Sequence, residues 1–237
     1  MPLFSADVTR VANTRIFARP TGQATQYLVY QIEYESQNDL ALIIPIPTPP
    51  GTASDAVRFI DLSGYPVFFA NLASGFPVAR GGVVNASAHT PAQQVGSFGA
   101  SFLPSLADFS QLDTRYRISD EMWKQLPEYN DYGFAVFILR ADAQMTHPIA
   151  LEFPVRNPNL LYFPTVNLHA STFEQDSYFD HDLFCQAHVD WLRSYDVAQS
   201  FMDIDRAQGI LDPNQRVERF TVLGLHPNSD IVLTLDH

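Results

Sequence analysis

The stretch from Gln26 to Glu35 alternates with the period of a sheet. Tyr27, Val29, Gln31, Glu33 and Glu35 fall on one side, and Leu28, Tyr30, Ile32 and Tyr34 on the other. A polar turn, "SQND", leads into "LALIIPIP", whose lack of polar positions predicts a strand covered on both faces. Pro45 and Pro47 share a side there and have no N–H for a ladder, so this end is predicted to lie at a sheet edge or to leave the sheet. With "TRIFA" and the "TGQ" turn ahead of it, the segment from Thr14 to Ile46 reads as a β-meander.

Further along, "VGSFGASFLP", "YGFAVFILR", "HPIALEFPVR" and "LYFPTVNLH" read as strands, and "RVERFTVLGL" with "DIVLTLD" as a terminal hairpin around "HPNS". Helical signals are shorter. Val67 to Ala73 reads as a helix stopped by Ser74-Gly75, and "SLADFSQL" as a helical turn capped by Ser105. "SDEMWKQLPEY" has Ser119 as N-cap, acidic residues in its first turn and Pro127 at its end, and "VAQSFMDIDRAQGIL" also reads as helical. "PVARGGVVNASAHTPAQQ" is small, polar and rich in Gly and Pro, which predicts a mobile loop. The fold class is α+β: a mainly antiparallel sheet with a few short helices packed on it, in a single domain over residues 1–237.

Composition narrows the function. Fourteen basic against 26 acidic residues leave a net charge of −12, which argues against a basic nucleic-acid or anionic-membrane surface. Lys124 is the sole lysine, so most Schiff-base and P-loop chemistry is excluded as well. A single cysteine rules out an internal disulfide framework and a four-cysteine zinc site. The N-terminal residues lack a basic segment followed by an apolar run, and the most apolar window is far shorter than the roughly 20 residues a spanning helix needs. A soluble, cytoplasmic protein without a membrane span is expected.

Four pieces in order, "VYQIEYES…LALIIPIPTPP", "VGSFGASFLPSLADFSQL", "MWKQLPEYNDYGFAVFILR" and "HPIALEFPV…LLYFP", resemble a bacterial family known only as a domain of unknown function (DUF2330-like). The resemblance covers about residues 15–169, leaving a C-terminal extension over about 170–237. It implies a shared fold and an uncharacterised or non-enzymatic module. The family has no assigned catalytic residues to carry over.

The candidate chemistry centres on "FDHDLFCQAH". His181, Cys185 and His188 share one face of a helix, whereas on a strand His181 and Cys185 stay together and His188 turns away. Alternation of Phe179, His181, Leu183 and Cys185 with Tyr178, Asp180, Asp182 and Phe184 favours the strand. A site would then recruit His169 from a neighbouring strand. His169, His181, Cys185 and His188 form a candidate set for a divalent metal such as zinc, with Asp180 and Asp182 fixing the imidazole tautomers. The simpler reading of Cys185 is a small buried hydrophobe.

Other signals are weaker. No G-x-S-x-G elbow is present, and Asp203 and Asp205 fail the EF-hand pattern because Ala207 and Gln208 occupy its third ligand and glycine places. The numerous tyrosines, Tyr178 among them, suit contact with a protein. The preferred reading is a non-enzymatic binding or assembly module that meets a protein partner or its own copy. The alternative is a metal-dependent hydrolase in which the metal activates water.

Overall fold

The computed structural model describes residues 3–77, 99–168 and 173–235. In chain order the elements are β1 (Leu3–Phe4), β2 (Arg10–Pro20), β3 (Thr25–Ser36), β4 (Leu40–Ile46), β5 (Arg58–Asp61), α1 (Phe68–Ser74) and β6 (Ala100–Leu103). There follow α2 (Asp120–Trp123), β7 (Gly133–Leu139), β8 (Asp142–Met145), β9 (Ile149–Pro154), β10 (Leu160–Phe163), β11 (Asp176–Cys185), β12 (Leu192–Val197), β13 (Arg216–Pro227) and β14 (Ile231–Thr234).

These strands form three sheets. A long sheet runs β12-β13-β11-β2-β3-β9-β5, with β8 also on β3; a second runs β1-β4-β7-β6; β10 and β14 make a pair. Every strand pairing is antiparallel except that of β2 with β11. The main core lies between the long and the four-stranded sheets. Leu28, Tyr30, Ile32 and Tyr34 of β3 face it from one side, and Leu40, Leu42, Ile44 and Ile46 of β4 from the other. On the far face of the long sheet, Phe17, Val29 and Phe184 pack under Phe68, Phe69 and Leu72 of α1. On the far face of the four-stranded sheet, Ala41, Ile43, Phe134 and Val136 meet Phe109, Met122 and Trp123.

β4 is buried at all seven positions, as its apolar run predicts. Because β1 reaches only Leu42 and Ile43, Pro45 has β7 on one side and no described strand on the other. The proline therefore removes no bond. Of the expected meander, β2 and β3 pair antiparallel as predicted, but β4 does not join them. β3 and β4 belong to different sheets, and the chain crosses between them at Ser36–Asn38, where Ser36 Oγ donates to the Asn38 carbonyl at 2.8 Å. "YGFAVFILR", "HPIALEFPVR" and "LYFPTVNLH" contain strands β7, β9 and β10, each in a different sheet. The terminal hairpin is likewise corrected. β13 pairs with β11 and β12, whereas β14 pairs with β10.

Two of the helical segments are shorter than their patterns predict. α1 matches its expected span to within one residue, and Gly75 at its end is not in a left-handed turn. Its φ is −73°, and the Phe201 ring lies where a Cβ would stand. Ser119 caps α2 by accepting from the Met122 N–H, but the helix has only four residues. "SLADFSQL" forms a 3-10 turn at Leu106–Gln111. The helix expected over 197–211 is absent. A short 3-10 turn at Ala198–Ser200 is followed by turns in which Gln208 and Gly209 adopt φ of 51° and 81°, values no right-handed helix accommodates. The loop predicted over 77–94 lies, beyond Pro77, outside the described residues. Among the described residues no helix is long and apolar enough to cross a membrane.

Candidate functional site

"FDHDLFCQAH" is a strand through Cys185, and the strand splits the proposed ligands. β11 lies between β2 and β13, with His181 beside Thr14 and Val222 and Cys185 beside Ala18 and Glu218. His181 and Cys185 both point into the main core side, at 1% and 0% exposure. His188 lies beyond the strand end, exposed, with a left-handed φ of 56°. His169 lies outside the described residues. His147 stands just before β9, three strands from β11 across the sheet. Among the described residues no group of three or more His, Cys, Asp or Glu side chains is placed to hold a metal ion.

Burial sets the protonation of both core groups. It holds the His181 imidazole well below its usual range, so the ring is neutral near pH 7. The Asp180 N–H points at Nδ1 from 3.3 Å, which makes Nδ1 the acceptor. Burial, reinforced by the neighbouring Glu218 carboxylate, pushes the Cys185 thiol far up, the opposite of what a nucleophile needs. Its Sγ stands 3.9 Å from Glu218 Oε2. Asp180 Oδ1 lies 3.8 Å from His181 Nδ1, whereas Asp182 is committed elsewhere. Asp180 Oδ2 accepts the Asn13 N–H at 2.7 Å. Asp182 Oδ1 accepts from Arg219 Nη2 and from Thr221 Oγ1, each at 2.7 Å.

Two inward-facing carboxylates escape a reading by spacing. Glu218 is 1% exposed, accepts the Ala187 N–H and faces Arg193 Nε at 3.4 Å; burial raises its pKa. Asp230 accepts four donors: Tyr129 Oη at 2.7 Å, Tyr162 Oη at 2.5 Å, and the N–H groups of Thr165 and Val166 at 2.8 and 2.9 Å. Burial raises its pKa too, and the same enclosure holds both phenols far above their usual range, so they remain donors. Asp230 occupies the "HPNSD" turn, a position that in sequence looks like an ordinary surface aspartate.

The surface offers two further features. A cleft of about 600 Å³ lies beside α2, floored by Phe109, Ile118 and Trp123 and rimmed by Lys124 and Asn130. Arg117 beside it donates to the carbonyls of Ser110 and Leu112 and so braces the loop. The second is an apolar face on the β11–β13 ladder. Tyr178 and Leu225 are opposed across it at 65% and 70% exposure, and Leu223 adds another 65%. Five of the ten tyrosines, Tyr30, Tyr34, Tyr65, Tyr129 and Tyr162, are core residues; Tyr178 and Tyr195 are exposed and the other three are half-buried.

No family model matches the chain, and no curated protein matches it. Solved structures do. Baculovirus P35 aligns over 98% of this chain and 99% of its own, with a TM-score of 0.58 and 12% sequence identity. A mutated baculovirus P35 after caspase cleavage aligns over 95% and 100%, with a TM-score of 0.51 and 10% identity. The chain therefore has the P35 fold, mostly strand with few short helices.

Proposed function

We propose that the chain is a non-enzymatic protein-binding module whose partner is a cysteine protease of the caspase type. The observation that carries this reading is the fold likeness along essentially the whole of both chains to P35, which in one of those structures has been cleaved by a caspase. The chemistry of β11 is consistent with it. The core imidazole is neutral, the thiol is protonated and Asp182 is engaged by Arg219, which supports a structural reading of His181 and Cys185. A metal-dependent hydrolase built on His169, His181, Cys185 and His188 draws no supporting observation from the described residues, because His181 and Cys185 are sealed from solvent.

The test is a panel of active caspases incubated with the purified chain in molar excess. Residual hydrolysis of a fluorogenic peptide and co-elution on size exclusion are the readouts. At least one caspase is expected to lose activity stoichiometrically or to co-elute with the chain. Full activity and separate elution for every member would overturn the reading.

A further inference from the structure

β13 is twelve residues long, but β12 covers only its first third. The pairings are Leu192 with Arg219, Arg193 with Glu218 and Val197 with Arg216. From Phe220 to Pro227 no described strand lies on the outer side, although β11 pairs with every one of these residues on the inner side. The phase of the strand says which groups face the gap. The Val217 N–H points outward and donates to Ser194 Oγ at 3.0 Å. Backbone groups alternate in direction along a strand, so those of Thr221, Leu223 and Leu225 also point outward. The Leu223 carbonyl agrees with this. It is met by His226 Nε2 at 3.0 Å, in the tautomer that carries a proton there. The same alternate residues place their side chains on the solvent face, where Leu223 and Leu225 stand beside Tyr178.

We propose that this edge and face bind a second copy of the chain, with β13 pairing antiparallel to the β13 of the copy about a two-fold axis near Leu223. An antiparallel edge is its own complement, so one sequence supplies both sides of the contact without a second kind of surface. Charge selects the same occupant. The chain carries −12, yet Phe220–Pro227 contains no acidic and no lysine or arginine residue. A basic partner finds no counter-charge on this segment, whereas two acidic copies meet here without opposing carboxylates. The nearest, Asp180 and Asp182, lie opposite Leu223 and Thr221 on β11, one strand further from the axis, and Asp182 is already neutralised by Arg219. Pairing would extend the long sheet through both copies at the ordinary strand spacing of about 4.8 Å. It would also bring the two sets of Leu223, Leu225 and Tyr178 against each other across the new ladder. β12, whose pairing ends at Arg219, and Pro227, which has no N–H, confine the pairing to the segment around Thr221–Leu225, with Gly224 at φ +99° inside it. The His226 ring must leave the Leu223 carbonyl for the second strand to enter.

This proposal is independent of the protease reading, and its experiment uses no protease. Light scattering after size exclusion and amide exchange are measured on the full chain at high and low micromolar concentration. The same measurements are made on Leu223→Lys/Leu225→Lys and on Tyr178→Arg. The wild type is expected to show twice the monomer mass at the higher concentration and to dissociate on dilution, with Thr221, Leu223 and Leu225 amides exchanging more slowly when concentrated. The double lysine variant is expected to be monomeric at both concentrations with an unchanged circular dichroism spectrum, since both positions are exposed. Tyr178→Arg is expected to weaken the dimer if the double variant misfolds. A wild type that is monomeric at both concentrations overturns the proposal, as does a dimer that persists in the variants. Slow exchange of those amides at both concentrations also overturns it, because a segment of the same chain then covers the edge.

Discussion

His181 illustrates how a residue's chemistry is decided by its surroundings rather than its type. Histidine near cysteine and aspartate invites a metal, and the strand alternation that placed His181 with Cys185 was legible in the sequence. Which side of the strand faces a second sheet was not, and that side fixes both groups in their uncharged forms. A consequence follows for pH. The folded imidazole has its pKa lowered, while in the unfolded chain it titrates near its ordinary 6.5. The stability it contributes is complete above that value and is lost as pH falls toward the folded value, because only the unfolded state takes up the proton. Within the window the loss approaches about 1.4 kcal/mol per pH unit for one proton. Urea denaturation at pH 7, 6 and 5 should show this slope in the wild type. The slope should be smaller in His181→Leu; equal slopes in the two proteins would refute the assignment.

At the scale of elements, propensity and pattern identified strands well and their partners poorly. Seven consecutive apolar residues made β4 recognisable as a strand buried on both faces, yet nothing in "LALIIPIP" names β1 and β7 as neighbours instead of β3. Segment 197–211 was misread for a related reason. Ala198, Met202, Ala207, Ile210 and Leu211 are buried as a helical face would be, but Gln208 and Gly209 turn left-handed and end any helix. Packing between elements also explains a glycine. At Gly133, the start of β7, an added Cβ would lie 2.5 Å from the Phe102 ring and 2.7 Å from Thr48 Oγ1. Gly133→Ala is therefore expected to destabilise by about 1–3 kcal/mol through overpacking, read as a lower urea midpoint with an unchanged slope.

The molecule as a whole is tied together where sequence-distant segments converge on one group. Asp230, at the entry to β14, collects Tyr129 from the helical side, Tyr162 from β10, and the backbone of Thr165 and Val166. Asp230→Asn leaves one acceptor oxygen among four donors and turns a new N–H₂ toward them. The expected cost is about 2–4 kcal/mol, as for buried hydrogen bonds to a charged group, and a melting temperature lower by several degrees would register it. Tyr162→Phe should cost less, because it removes one donor and strands none. The sequence by itself determined the strand-rich class, the turns, the burial of β4 and the alternation of β11, since these follow from local backbone preference and the period of apolar side chains. Only the tertiary structure decided sheet membership, the commitment of Asp182 to Arg219, the four-donor cradle of Asp230 and the stretch of β13 that no described strand covers on its outer side. Each of these depends on which distant strand arrives alongside, and that is settled by the joint burial of both faces of the long sheet rather than by any local pattern.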